Sequence, residues 1–430
     1  MNLDIDKLYR KFLTCTTVST DTRKIDAGCL FFALKGPNFN GNSFAREAFE
    51  KGARFVVVDE PAFALNDEDY MLVDDSLQAL QALANHHRRT LQIPVIGITG
   101  SNGKTTTKEL ISAVLGQKYR TYATRGNLNN HIGVPLTILS IGNDVQMAVI
   151  EMGANKIGDI RELVSICEPT HGLITNIGRA HLEGFGGIEG VKRGKGELFD
   201  FLQDHKGVVF VNSGNETLLP MAIQLGKPVT YPASGDYFQC ELLEASPQVV
   251  YRDESGETVV TQLAGAHNFE NIAAALCIGK YFGVPASRAN EAIRNYVSAN
   301  NRSQVVTKGS NTIYLDAYNA NPTSMQASLE HFMTIRAPKK AVVIGDMYEL
   351  GEDSAAEHRR IGEVVAKGNF DFVLLCGKYM QNAVAANPKA YYFIDKFSLN
   401  NWLMDHTFEH THILIKGSRG MSMETIVNLL

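Results

Sequence analysis

Apolar and polar residues alternate along the chain in blocks that predict short strands separated by amphipathic helices. A helix near the start precedes the polar stretch Ser19-Thr20-Asp21-Thr22-Arg23, and the run Cys29-Leu-Phe-Phe-Ala-Leu34 predicts a strand. A helix near Ser43 to Lys51 and a strand from Arg54 to Asp59 complete a small α/β unit over residues 1–79. The segment Leu77 to Ala84, apolar at helical spacing, begins the next unit. From 80 to 301, strands at Val95 to Thr99, Met147 to Glu151, Gly172 to Asn176 and Val208 to Asn212 alternate with helices. That alternation predicts a mostly parallel sheet covered on both faces. Between 228 and 263 short runs punctuated by polar turns predict an antiparallel insertion, and a long helix spans His267 to Phe282. A second alternation fills 302–430, with strands at Thr312 to Asp316, Ala341 to Gly345, Phe372 to Cys376 and His412 to Lys416.

Length agrees with three compact domains, since 430 residues is nearly three times a typical domain of about 150. With 44% hydrophobic and 20% charged residues the chain can bury sizeable cores, which excludes low-complexity disorder and fibrous architecture. The formal charge of -5 argues against holding nucleic acid by bulk charge but permits a local basic pocket. Six cysteines, Cys15, Cys29, Cys167, Cys240, Cys277 and Cys376, are far apart and read as reduced thiols. No apolar run approaches the roughly 18 residues of a membrane span, and the acidic start lacks the order of an export signal. A cytoplasmic protein is expected.

The strongest chemical signal is Val95-Ile-Gly-Ile-Thr-Gly100-Ser-Asn-Gly103-Lys104-Thr105-Thr106-Thr107, leading into a helical run over Lys108 to Leu115. A buried strand ending in a glycine turn that opens a helix aims backbone N–H groups and the positive end of the helix dipole at an anion. Lys104 then reaches the outer phosphates and the Thr105 hydroxyl ligates Mg²⁺. Ile98 stands where the usual spacing has its first glycine, so only the short form Gly100-x-x-Gly103-Lys104-Thr105 is present. The guanine-reading pattern is missing too: Asn155-Lys156-Ile157-Gly158 lacks the aspartate. The nucleotide is read as ATP.

Glu151 ends an apolar strand beside this loop, where a carboxylate is placed to hold Mg²⁺ directly or through water. His181 lies in a stretch with seven glycines between Gly178 and Gly196, which implies a backbone approaching a ligand closely or bending sharply. Chemistry alone leaves His181 balanced between a structural role and a ligand role, imidazole being a poor match for Mg²⁺. Lys195, if close to Lys192 and Arg193, has its pKa lowered by them, and a neutral amine can add CO₂ to become a carbamate.

Taken in order, Thr99-Gly-Ser-Asn-Gly-Lys-Thr-Thr106, Glu151, His181, Lys195, Gly265-x-His-Asn268-x-x-Asn271 and Arg302 resemble the Mur ligase family of ATP-dependent amide ligases. Further segments carry the resemblance over nearly the whole chain: Gly126-Asn-Leu-Asn-Asn130, Asp316-Ala-Tyr-Asn-Ala-Asn-Pro322, Gly345-Asp-Met-Tyr-Glu-Leu-Gly-Glu352 and Lys416-Gly-Ser-Arg-Gly-Met-Ser-Met-Glu424. The resemblance implies an α/β protein of three domains. These are a small uridine-nucleotide-binding domain (1–79), a central P-loop ATPase-like domain with a mostly parallel sheet (80–301) and a C-terminal Rossmann-like domain (302–430). It implies that Gly100, Ser101, Asn102, Gly103, Lys104, Thr105 and Thr106 hold the ATP phosphates, with Asn268 and Asn271 by the adenine, Arg302 by the phosphates and Asp316 by the ribose. Two Mg²⁺ are implied, the second held by Glu151, His181 and a carbamylated Lys195. Asp21, Thr22, Arg23, Lys35 and the Gly41-Asn42-Ser43 turn would face the uridine nucleotide, and Asn319, Asn321 and Ser324 the incoming dipeptide. Arg193-Gly194 before Lys195 departs from the small apolar residue expected there.

By the same resemblance, the substrates are UDP-N-acetylmuramoyl-tripeptide and D-alanyl-D-alanine, joined by a monomer through an acyl phosphate. Two rivals accompany this reading: a folate polyglutamylating ligase, and a nucleotide-dependent binding protein that has lost ligation. The Ser19 to Arg23 stretch and the Tyr318 to Pro322 segment oppose the first; intact Lys104, Glu151, His181 and Lys195 oppose the second.

Overall fold

The computed structural model describes residues 4–66, 68–298 and 302–430. The chain start up to residue 3 and residue 301, at the expected second boundary, lie outside them. Among the described residues the strands form separate sheets, and each of the three larger ones is built on the parallel pairing that the block pattern predicts.

The first sheet has four parallel strands in chain order, Val18–Ser19, Leu30–Phe32, Phe55–Val58 and Tyr70–Leu72. The run expected to reach Leu34 ends at Phe32, because the chain turns at once into a small hairpin, Lys35–Gly36 against Phe39–Asn40. Helix Ser76–Thr90 joins this unit to the next. Asp75 caps it by accepting from the N–H groups of Leu77 and Gln78, and its buried Arg88 donates to the carbonyls of Cys167 and Glu168.

In the second unit six parallel strands run in the order Val229–Tyr231, Val208–Asn212, His171–Ile174, Val95–Thr99, Met147–Glu151, Thr121–Ala123. All five residues of both Val95–Thr99 and Met147–Glu151 are buried, which is why these strands read as continuous apolar runs. Val229–Tyr231 extends this sheet in parallel, so the antiparallel insertion begins only at Cys240, as strands Cys240–Glu244, Val250–Asp253 and Thr258–Val260. Helix Ala266–Tyr281 is apolar on nearly every side because it is covered on several: it packs against helix Lys104–Leu115, strand Val208–Asn212 and the insertion.

The third unit is a six-stranded sheet in the order Gln304–Lys308, Asn311–Leu315, Thr411–Lys416, Lys339–Gly345, Phe372–Cys376, Tyr391–Phe393. It is parallel apart from the first, antiparallel edge pair. The edge strands Gln304–Lys308 and Tyr391–Phe393 escape the sequence reading, being half exposed and short respectively. All six cysteines are free thiols, and among the described residues no helix is long and apolar enough to cross a membrane.

Candidate active site

Strand Val95–Thr99 has Met147–Glu151 on one side and His171–Ile174 on the other, so the connections diverge at its carboxyl end. Open α/β sheets bind ligands at such a switch point. Three chain segments leave the sheet there: the Gly100 loop, Glu151 with the residues after it, and Thr175 to His181. The third unit closes over them, leaving a cleft of about 1240 Å³ whose wall includes Lys104, Glu151, His181, Arg302, Asp316 and Asn321.

The loop is stapled to the neighbouring strand end. Ser101 N–H donates to the Asn176 carbonyl and Asn102 N–H to Asn176 Oδ1, both at 3.0 Å, while the Thr175 hydroxyl donates to the Asn102 carbonyl at 2.6 Å. Gly103 precedes helix Lys104–Leu115 with φ 78°, and no side chain caps the helix. The first-turn N–H groups therefore stay available to an anion. A Cβ at Gly103 would lie 2.7 Å from Asn271 Oδ1, so the loop rests directly on helix Ala266–Tyr281. Asn271 in turn accepts from the Thr107 hydroxyl and donates to Asn268, which places both asparagines beneath the phosphate loop.

Lys104 donates to the carbonyls of Gly100 (2.7 Å) and Ser101 (3.4 Å). Burial lowers its pKa first and Arg302 lowers it further, while Glu151 opposes both. Arg302 lies flat on the Tyr318 ring, 3.5 Å from the centroid, and Arg419 approaches the same ring at 5.7 Å. Cations from two domains thus converge on the phosphate loop. Tyr318 lies in the Asp316 to Pro322 segment that carries the family resemblance, but the sequence assigned it no part beside Arg302.

Glu151 is 2% exposed. Its Oε1 accepts from the Asn129 amide at 2.8 Å, whereas Oε2 is buried with no hydrogen-bond partner. An orphaned buried carboxylate oxygen in the wall of this cleft suits a hard cation, and Thr105, which lines the same cleft, carries a hydroxyl oxygen of the same donor class. No group of three or more His, Cys, Asp or Glu side chains gathers among the described residues. A magnesium site here therefore has to draw on hydroxyl, phosphate or modified-lysine oxygen. The His181 imidazole sits against the Glu349 carboxylate of the third unit through Nδ1, without the geometry of a hydrogen bond, and that contact holds the Glu349 carboxyl below its usual range.

Lys195 is 1% exposed, and its amine lies over the Phe185 ring, 5.4 Å from the centroid. Its pKa is well below the ordinary lysine value, through desolvation and then through Lys104. The shift has the direction expected from the sequence, but Lys104 rather than the chain neighbours Lys192 and Arg193 is the cation that adds to it. Gly186 (φ 69°) and Gly187 (φ 104°) make the sharp bend expected of this stretch, whereas Gly190 and Gly194 serve packing. A Cβ at Gly190 would sit 1.8 Å from the Phe185 carbonyl and one at Gly194 2.5 Å from the Phe185 ring, so they make room for the lid over Lys195 rather than for a ligand. This explains the glycine that departs from the family pattern before Lys195.

Asp316 is held by Lys416, by the Ser328 hydroxyl at 2.6 Å and by Ser303 N–H at 3.3 Å. Burial alone would raise its pKa, but Lys416 and Ser328 bring it below the usual range. Asn321 caps helix Pro322–Thr334 in a reciprocal capping box with Ser324, and its amide donates to Asn102 Oδ1 at 2.7 Å. Asn319 Oδ1 accepts from Arg419 N–H. These side chains line the cleft while already serving the backbone.

The expected uridine-site residues lie outside this cleft wall. Arg23 and Asp21 pair with each other at 2.8 Å, and the Thr22 carbonyl accepts from Lys51. Lys35 bridges Asp59 and Glu60. Asn42 is fully buried and donates to Asn40 and Asp59, so its side chain fixes the turn.

Family models match along the chain: Mur ligase family, catalytic domain over 14–88, Mur ligase middle domain over 98–279, and Mur ligase, glutamate ligase domain over 301–419. The UDP-N-acetylmuramoyl-tripeptide–D-alanyl-D-alanine ligase of Bacillus subtilis is 35% identical, the match covering 95% of this chain and 92% of that protein. A crystal structure of MurF from Acinetobacter baumannii superposes with a TM-score of 0.87 at 30% identity, over 99% of this chain and 97% of that one. MurF from Thermotoga maritima, solved in complex with ADP, gives 0.85 at 27% identity over 97% of each chain.

Proposed function

The chain belongs to the Mur ligase family, and we propose that it is the ligase that joins D-alanyl-D-alanine to UDP-N-acetylmuramoyl-tripeptide with ATP, in peptidoglycan precursor synthesis. The observation that carries the reading is the convergence of Lys104 and Arg302, from different domains, on a helix N-terminus beside a carboxylate oxygen with no partner. The whole-length likeness to relatives of that name supports the same choice. The folate rival is set aside because the match extends through the first unit and the Tyr318 to Pro322 segment.

A carboxylate and an amine at neutral pH exchange a proton and form a salt rather than an amide. The tripeptide carboxylate is therefore first phosphorylated by the γ-phosphoryl of ATP, giving an acyl phosphate and ADP. Lys104 would exchange the Gly100 and Ser101 carbonyls for phosphate oxygens, and Arg302, oriented by Tyr318, would offset the repulsion between the two anions. Thr105, Glu151 and His181, with a carbamylated Lys195, would hold two Mg²⁺ that neutralise phosphate charge. For the carbamate, the lone pair of the neutral Lys195 amine attacks the carbon of CO₂, one C=O pair moves to oxygen and the nitrogen releases one proton to solvent. The desolvated amine favours that step. The dipeptide's neutral amine then attacks the acyl carbon, and the tetrahedral intermediate collapses to the amide as the carbon–oxygen bond to phosphate breaks and the nitrogen gives up a proton to solvent. Asn319, Asn321 and Ser324 border the acceptor side of the cleft, and Asn268, Asn271 and Asp316 its nucleotide side.

The three sheets support the working division 1–79, 80–301 and 302–430. Asp21, Thr22, Arg23, Lys35 and the Asn42 turn would meet the uridine end of a substrate long enough to span two domains. We read the protein as a monomer and place the reaction in the cytoplasm, where ATP is available.

The test is phosphate release on mixing enzyme, Mg²⁺ and ATP with UDP-N-acetylmuramoyl-tripeptide, D-alanyl-D-alanine, both or neither. Release should require both, and ¹⁸O placed in the tripeptide's terminal carboxylate should pass into phosphate. Equal release with neither substrate would refute ligation.

A further inference from the structure

The segment Gly126 to Asn130 belongs to the family resemblance, yet nothing above gives it work. From it the Asn129 amide donates to Glu151 Oε1 at 2.8 Å. The same residue is fixed at its backbone, because its carbonyl accepts from Gly153 N–H at 2.7 Å and its N–H donates to the Asn127 carbonyl at 2.8 Å. A Cβ at Gly153 would lie only 3.0 Å from Asn129 Oδ1, so a larger residue there would press on the amide. Behind the carboxylate, Glu151 N–H donates to the Thr124 hydroxyl at 2.9 Å. Lys108, 3% exposed, spends its ammonium on the Thr124 carbonyl at 2.7 Å and stays 4.0 Å from Glu151 Oε2. That distance is beyond a hydrogen bond, so Lys108 balances charge without occupying the oxygen.

A carboxylate on one rotatable stem can point either oxygen outward. Here one oxygen is tied by an amide and the other is left bare. We propose that Asn129 is a positioning residue: it locks the Glu151 carboxylate in the rotamer that presents Oε2 to a divalent cation bound with the nucleotide. Ligating carboxylates are oriented by such hydrogen-bonded partners, and losing one costs 10- to 100-fold in metal affinity or activity (about that range). The inference rests on the metal site of the proposed function and adds to it the residue that orients its carboxylate.

The experiment uses the full-length protein with Mn²⁺ as the probe. Binding is followed by loss of the free Mn²⁺ signal in electron paramagnetic resonance, in the presence of ADP. Asn129→Leu keeps the size of the side chain and removes the donor. Its Mn²⁺ Kd should rise about tenfold or more, as should the Mg²⁺ concentration for half-maximal ligation. ADP binding in EDTA should match the unaltered protein, which a merely misfolded loop would not allow. Glu151→Gln serves as the reference for loss of the ligand itself. If Glu151→Gln weakens Mn²⁺ binding and Asn129→Leu does not, the positioning role is overturned and the metal site survives. If neither change weakens it, the metal site is refuted along with the positioning role.

Discussion

Replacing Lys416 by methionine tests how far the cleft depends on one buried pair. Lys416 is 1% exposed, and its ammonium meets Asp316 from a position 100 residues away in the chain. Unit charges about 4 Å apart at an effective dielectric of about 20 attract by about 4 kcal/mol. Removing one partner of a buried pair typically costs about 3–5 kcal/mol, because the survivor is left uncompensated. Asp316 keeps the Ser328 hydroxyl and the Ser303 N–H and is about one-fifth exposed, so the expected loss is toward the lower end, about 2–4 kcal/mol. Asp316→Asn strands a lysine that is more deeply buried and should cost at least as much. The double variant removes both charges and should recover part of either loss, giving a coupling energy of about 1–3 kcal/mol. Urea unfolding followed by fluorescence measures all three. The pH dependence has a defined sign. The Asp316 carboxyl is held below its unfolded value, so its stabilisation is complete above the ordinary carboxylate range, near pH 4, and is lost as pH falls through the folded value. The gap between the unaltered protein and Lys416→Met should therefore narrow below about pH 4. Strictly additive single and double variants, with a gap independent of pH, would refute the pairing as a source of stability.

Two further changes probe the site. Lys195→Ala should reduce ligation at least about a hundredfold while leaving ADP binding in EDTA intact, and small carboxylates such as acetate should restore part of the activity by occupying the vacated space; full activity without them would remove Lys195 from the reaction. Gly103→Ala forces a side chain into a left-handed φ of 78° and against Asn271, at a cost of about 1–2 kcal/mol or more, so ADP affinity by calorimetry should fall at least fivefold.

Much of the architecture was written locally. Val95–Thr99, Met147–Glu151, Val208–Asn212 and Phe372–Cys376 have the bounds that the sequence predicts, because their interiors are covered on both faces and read as unbroken apolar runs. The phosphate loop and the carboxylate at the strand end were legible for the same reason: both follow a buried strand directly. Short or half-exposed strands such as Tyr391–Phe393 and Gln304–Lys308 carried too few apolar positions to register.

What tertiary structure alone decided is which distant groups meet. Adjacency in the chain offers Lys192 and Arg193 as the charges that would act on Lys195 if close, but the fold brings Lys104 to it instead. Asn129 on Glu151, His181 on Glu349, Asn321 on Asn102 and Lys416 on Asp316 are pairs set by strand order and domain packing. Periodicity reports which face of an element is buried, since burial recurs with the backbone repeat. It carries no record of what lies across the gap, because that neighbour arrives from a part of the chain whose spacing is fixed only when the sheets close.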